Sequence, residues 1–240
     1  MGSVWNLFNI VVAVCPTTSA LAVVRTKVTT KHARCDDGVV ITLVVRASAL
    51  PTICVALPQR LRCMKTIVAS RCVLEPQVTE HAAEMFCVLS DPAIYEFENE
   101  PPPSQQSLRS RYERLEKRGS ADASEQWLNW VIRLPSGVLA GYVQATVLQT
   151  GVAYVAYELN SQHWRQGFGS SAVRAMLEQL RIEYGVHAFV AILKAKNFRS
   201  MALLRNLGFT AGSAEQQTQY RDEPDELVMF RESGQDQSAA

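Results

Sequence analysis

Trp164-Arg165-Gln166-Gly167-Phe168-Gly169-Ser170 is a polar run carrying two glycines, and the residues on either side of it decide how it is read. Downstream, Val173, Met176, Leu177, Leu180 and Tyr184 share one stripe of a helix running from about Gly169 to Tyr184, while Arg174, Glu178 and Arg181 lie on another face at salt-pairing spacings. Gly185 is its expected C-terminal stop. Upstream, Val152 to Leu159 reads as a strand. The run is therefore a strand-to-helix loop, able to aim several backbone N–H groups and a helix N-terminus at one anion. Glycines at 167 and 169 permit close approach, and Ser170 with Ser171 adds hydroxyl donors in the first turn. An ordinary glycine-rich connection would carry the same two glycines, so the surrounding chain must decide.

Working outward, Trp127 to Arg133 and Val138 to Leu148 are strands joined at Pro135-Ser136-Gly137, and Thr150-Gly151 turns the chain into Val152 to Leu159. The loop thus follows a three-strand antiparallel meander. By alternation, Leu139, Gly141, Val143, Ala145 and Val147 are expected on one face of its middle strand. Earlier, Arg71 to Pro76 reads as a strand, and Thr79 is expected to cap a helix through Leu89, with Glu80 and Glu84 in its early turns. Pro92 to Phe97 suggests a short helix, and Pro101-Pro102-Pro103 a stiff loop. Ser104 to Arg118 carries Leu108, Tyr112 and Leu115 at helical spacing before Gly119 ends it. Beyond the long helix, Ala188 to Leu193 is a buried-looking strand, and Asn197 caps a helix to Leu207 that Gly208 ends. Strands around Phe209 to Tyr220 and Leu227 to Arg231 close the domain, and Ser233 to Ala240 is expected to be a disordered tail.

Three phosphate-binding patterns compete for the loop. A Walker A motif fails because no Lys-Ser or Lys-Thr follows the glycines. Gly167-Phe168-Gly169-Ser170-Ser171-Ala172 satisfies G-x-G-x-x-A, but a dinucleotide fold places those glycines straight after its first strand and an acidic residue after its second. Here they follow a meander, and the next strand ends in Lys194-Ala195-Lys196. The third pattern fits: residues 71 to 232 resemble the GNAT superfamily of N-acetyltransferases. The loop is similar to the family's [QR]-x-x-G-x-[GA] acetyl-CoA signature, and Asn197-x-x-Ser200 leading to Leu203-Leu204-x-x-Leu207-Gly208-Phe209 is similar to its second signature. Trp164 departs from the first position of the general pattern and resembles the ribosomal-protein N-terminal acetyltransferase branch.

The resemblance implies a mixed α/β (α+β) fold, with a mainly antiparallel central sheet flanked by helices and a fourth strand that splays from the fifth. Acetyl-CoA is the implied co-substrate, and a primary amine, either a protein N-terminus or a small molecule, the implied acceptor. Leu159 and Asn160, with Glu158 beside them, are expected to offer backbone groups to the pantetheine arm, and Trp164, Arg165, Gln166, Gly167, Phe168, Gly169 and Ser170 to surround the pyrophosphate. Asn197 is placed near the pantetheine and Ser200 near the thioester sulfur. Asn197 also reads plainly as a helix cap, and Ser200 as a surface serine of a first turn. Many family members carry an acidic tyrosine four residues before the final glycine, but this chain has Leu204 there, so Ser200 is the expected donor to sulfur. Glu158 is the candidate base, directly or through water, and an exposed edge-strand glutamate is its plain alternative. A non-catalytic acyl-CoA-binding module of the same fold is the alternative reading of the whole chain.

The remaining features bound this reading. Among 240 residues the formal net charge is +1, which gives no electrostatic case for nucleic acid. No Cys or His spacing supports a metal site, and free buried thiols in a reducing cytoplasm are the expectation for the six cysteines. The first 63 residues hold seven of the 24 Lys/Arg but only Asp36 and Asp37 of the 23 acidic residues. Met1 to Val24 is uncharged, yet it lacks a basic n-region and is interrupted at Pro16, Thr17, Thr18 and Ser19. Residues 1–63 are therefore expected to be an extension outside the fold, with a membrane anchor as the alternative, and residues 64–232 to form the acetyltransferase domain, starting at Met64-Lys65-Thr66-Ile67. A homodimer is left open.

Overall fold

A computed structural model describes residues 64–97 and 99–234. The expected extension, 1–63, and most of the expected tail, 235–240, lie outside the described residues. The described chain forms β1 (Ile67–Val68), β2 (Val73–Pro76), α1 (Ala82–Leu89), α2 (Gln105–Leu115), β3 (Glu125–Arg133), β4 (Leu139–Leu148) and β5 (Val152–Leu159). It continues through α3 (Phe168–Tyr184), β6 (Ala188–Lys194), α4 (Phe198–Asn206), β7 (Thr210–Ala211), α5 (Ala214–Tyr220) and β8 (Glu226–Glu232). The strands make one sheet in the order β1-β2-β3-β4-β5-β6-β8-β7. Every neighbouring pair is antiparallel except β5 and β6, so this is the mixed, mainly antiparallel sheet expected.

Helices cover both faces. On one, α3 contributes Ala172, Val173, Met176, Leu177 and Leu180 and α4 contributes Leu204 to a core with Trp130, Val143, Val155 and Phe189. Fully burying such a side chain stabilises by about 1.5–3 kcal/mol, so the apolar stripe of α3 is what fixes it to the sheet. On the other face, Met85, Val88 and Leu89 of α1 pack with Leu108 and Tyr112 of α2 against Val131, Leu139 and Tyr142.

Leu139 sits on this second face, not with Val143. Ile132 pairs with Gly141 but Arg133 with Leu139, and the extra residue, Ala140, reverses the alternation before it. Ala140 consequently joins the α3/α4 core, and Leu139 and Tyr142 join the α1/α2 core.

Four other local expectations change. Thr79 does not cap α1: it begins a 3-10 turn, Val78 stands before it, and the buried Thr79 hydroxyl has no hydrogen-bond partner among the described residues. Arg118, at φ 58°, takes a left-handed conformation after α2, one residue before Gly119, the expected stop. Residues 214–220 are helical where a strand was expected. Ser213 and Gln216 form a capping box, and the Gln217 side-chain amide pairs with the Val228 backbone in place of a strand (Nε2 to O 2.8 Å, N to Oε1 3.0 Å). Of the two described cysteines, Cys72 is buried, and that burial pushes its thiol pKa up, but Cys87 is exposed.

Candidate active site

The site begins where two strands part. Val152, Ala153 and Tyr154 pair with Ala188, Phe189 and Val190, and the β5–β6 ladder goes no further, although β5 runs on to Leu159 and β6 to Lys194. On its other side β5 stays paired with β4 as far as Gly141–Leu159, and the Asn160 N–H continues that side by donating to the Ala140 carbonyl at 2.8 Å. Because alternate residues turn their backbone groups to opposite neighbours, those of Tyr157 and Leu159 face the gap. The Leu159 carbonyl accepts from the Trp164 indole at 2.7 Å. Asn160 is bonded within the protein throughout: its carbonyl accepts from His163, its side-chain oxygen from Gln162, and its Nδ2 donates to Val88 at the end of α1.

Beside the gap, Ser161 to Gly167 carries the chain into α3. Arg165 has φ 58° and Gly167 φ 80°, a pair of left-handed residues that turn the loop sharply. A side chain at 167 would be strained by that φ and would also press on Arg71, since a Cβ there would lie 3.2 Å from Arg71 Nε. Gly167 occupies the N-cap and offers no side chain to α3, so among the described residues no side-chain cap covers the first N–H groups of the helix. Arg71 Nη1 donates to the Gln166 carbonyl at 3.3 Å, bringing a guanidinium to the rim of this N-terminus. Arg165, Gln166 and Gly167 are exposed. Phe168 packs edge-on to His163, and Gly169 lets α3 approach α4, since a Cβ at 169 would lie 3.2 Å from Leu203 Cδ1. Ser171 turns inward to Ser70 and the Arg71 N–H, leaving Ser170 as the first-turn hydroxyl on the loop side.

Across the gap, Asn197 caps α4 by accepting from the Ser200 N–H at 3.0 Å. Ser200 Oγ then meets the Tyr157 hydroxyl at 2.8 Å, and the same phenol reaches the Ser200 carbonyl at 3.2 Å. Burial drives the Tyr157 pKa up to about 12, against the lowering effect of Ser200. Leu204 is buried in the core one turn further along α4. The Arg199 guanidinium lies over the rings of Trp164 (4.5 Å), Phe97 (5.0 Å) and Phe198 (5.5 Å) and pairs with Glu96. These contacts tie the loop to α4 and to the segment after α1.

Glu158 points to the opposite face of β5, directly across from Tyr142. Around it are the phenols of Tyr95, Tyr112 and Tyr142. Burial raises the pKa of all three, the Glu158 charge raises them further, and the Arg111 charge opposes it. Tyr95 donates to the Leu89 carbonyl at 2.9 Å, whereas the buried Tyr112 hydroxyl and Arg111 Nε have no hydrogen-bond partner among the described residues. A carboxylate among phenols and a guanidinium can receive an amine and hold its proton. Among the described residues no cluster of three or more His, Cys, Asp or Glu could hold a metal ion, and no helix is long and apolar enough to cross a membrane.

The structure thus gathers the loop, Asn197 and Ser200 around one gap and sets Glu158 on the far side of the strand that borders it. Sequence reasoning missed Tyr157, although parity along Val152–Leu159 puts it on the face that packs on α4. Tyr95, Tyr112 and Tyr142 carry no local signal, because only packing brings them together.

A family model for the acetyltransferase (GNAT) domain matches residues 71–210. No curated protein matches the chain. Among solved structures, the RimL ribosomal L7/L12 α-N-protein acetyltransferase in complex with coenzyme A is similar, at 19% identity over 70% of this chain and 98% of that one, with a TM-score of 0.59. The Vibrio fischeri ribosomal-protein-S5-alanine acetyltransferase matches at 14% identity over 72% of this chain and 98% of that one, TM-score 0.58. Mycobacterium smegmatis RimJ, in complex with a coenzyme A disulfide, matches at 18% identity over 70% of this chain and 88% of that one, TM-score 0.59.

Proposed function

The chain belongs to the acetyltransferase (GNAT) family, and from that membership we propose that it moves the acetyl group of acetyl-CoA to a primary amine by direct attack on the thioester. The observation that carries this reading is the parting of β5 and β6 after Tyr154, beside an α3 N-terminus that no side chain caps among the described residues. The fit to the co-substrate is chemical. N–H groups that no described side chain caps, with Arg71 at their rim, suit a pyrophosphate, and the backbone of Tyr157 and the Leu159 N–H suit an amide-bearing arm lying in the gap.

Acetyl-CoA supplies an activated acyl group, and the chain supplies binding, orientation and proton handling. N–H groups from Arg165 to Ser170 hold the pyrophosphate, Trp164 closes the loop over Leu159, and Asn197 fixes the turn that presents Ser200 to the sulfur. Glu158 takes a proton from the incoming amine, directly or through one water. The amine lone pair forms the N–C bond, the C–S bond breaks with its electron pair on sulfur, and a hydrogen bond from Ser200 stabilises that charge.

The acceptor we favour is a protein α-amine. An α-amino group has a pKa of about 7.7–8.0 against about 10.4 for lysine, so its neutral fraction near pH 7 is roughly a tenth, a few hundred times that of lysine, and a weak base suffices. The similar RimL and ribosomal-protein-S5-alanine enzymes carry protein acceptors in their names. The test is thiol release from acetyl-CoA by the full chain, with a panel of N-terminal peptides and small-molecule amines. Amine-dependent release with a matching acetylated product is expected. Acetyl-CoA binding with no release from any amine would overturn the reading in favour of a non-catalytic module.

A further inference from the structure

Tyr157 and Ser200 face each other across the β5–α4 side of the gap, and their hydrogen-bonding capacities limit what each can do. The phenol has one hydrogen. The Ser200 carbonyl, 3.2 Å away, can only accept it, while Ser200 Oγ, 2.8 Å away, can accept or donate. When the phenol donates to Oγ, the serine hydrogen has to point elsewhere. The Ser200 N–H is already held by Asn197 Oδ1, so the turn carrying this hydroxyl is fixed. Leu204 fills the core on the same helix, so the phenol at this site comes from β5 and not from α4.

We propose that Tyr157 is a positioning residue that directs the Ser200 hydroxyl hydrogen at the thioester sulfur, an inference that rests on the acyl-transfer reading above. Negative charge growing on sulfur draws the serine hydrogen to it, and the phenol hydrogen follows onto Oγ, each bond polarising the next. The phenol keeps its proton. With its pKa near 12 it is a far weaker acid than a thiol of about 8.5, so it donates a hydrogen bond without transferring.

The test uses the full chain as Tyr157→Phe, Ser200→Ala, the double variant and Ser200→Thr, with two readouts. One is the kcat and KM for acetyl-CoA; the other is an ultraviolet absorbance titration of the thiol of bound coenzyme A. Tyr157→Phe should lower kcat about tenfold, the weight of one such hydrogen bond. Its KM for acetyl-CoA should stay within about twofold of wild type. The bound thiol should titrate at higher pH, Ser200→Thr should retain both properties, and the double variant should be no slower than Ser200→Ala alone. Wild-type kcat with an unmoved thiol titration in Tyr157→Phe would overturn the proposal, as would losses that multiply in the double variant. A bound thiol whose titration depends on Tyr157 in a protein that acetylates no amine would overturn the acyl-transfer reading and leave the hydrogen-bond chain standing.

Discussion

On the face of β5 turned to α3 and α4, Tyr157 meets Ser200 beside a gap lined by backbone groups. One residue on, Glu158 turns the other way, to Tyr142 and the phenols held by α1 and α2. The first face is built from main-chain geometry: a ladder that stops, a glycine at φ 80° and a helix that begins on that glycine. The second is built from side chains that lie far apart in sequence. In the proposed reaction Tyr157 and Ser200 on one face serve the thioester and Glu158 on the other serves the amine, so changes on one face should leave the other working.

The largest effect is expected where both faces share an atom. A Cβ on Gly141 would lie 2.0 Å from the Glu158 carbonyl oxygen, which is backbone and cannot swing away. Gly141→Ala should cost about 3 kcal/mol or more by denaturant unfolding and weaken both co-substrate binding and turnover. A stable variant with one face intact would show that the two faces do not both depend on this contact. Gly169→Leu should act on the first face alone. Its side chain collides with Leu203, and coenzyme A affinity by calorimetry should fall on the order of a hundredfold, with the circular dichroism unchanged. Unchanged affinity would remove the loop from the site.

On the second face, Tyr112→Phe deletes a buried hydroxyl that lacks a partner among the described residues. The variant should be more stable by about 1 kcal/mol and bind acetyl-CoA as the wild type does. A loss of stability would mean that the hydroxyl is satisfied in the folded protein. The smallest effect concerns pH. Burial is the first cause holding the His81 pKa below 6.5, and its Nδ1 accepts from the Val78 N–H at 3.2 Å. The unfolded chain therefore binds more protons here below about pH 6.5, so stability falls as pH drops through that value. His81→Gln should flatten this slope in unfolding curves taken at about pH 7.5 and about pH 5.5, and an unchanged slope would assign the pH dependence to other groups.

The first face was largely legible in the sequence because its causes are local. Gly167, Asn197 and Gly208 each mark a backbone conformation or a cap within a few residues, and the meander before the loop excluded a dinucleotide fold. The errors fell where distant contacts override local preference. Ala140 reversed the alternation that put Leu139 with Val143, and Thr79 entered a 3-10 turn, with its N–H donated to Glu116, in place of the cap position of α1. A capping box at Ser213 turned an expected strand into α5. Tyr95 and Tyr112 flank Glu158 only after α1 and α2 have docked on the sheet, and no spacing in the sequence announces that.

The division between the faces is tested most directly by Glu158→Gln, with acetyl-CoA affinity and the single-turnover rate of acetyl transfer measured on the same protein. Affinity within about twofold of wild type and transfer slower by about a hundredfold or more are expected, since the variant loses the proposed base and keeps the gap. An affinity that falls in step with the rate, or a rate that does not fall, would contradict the account.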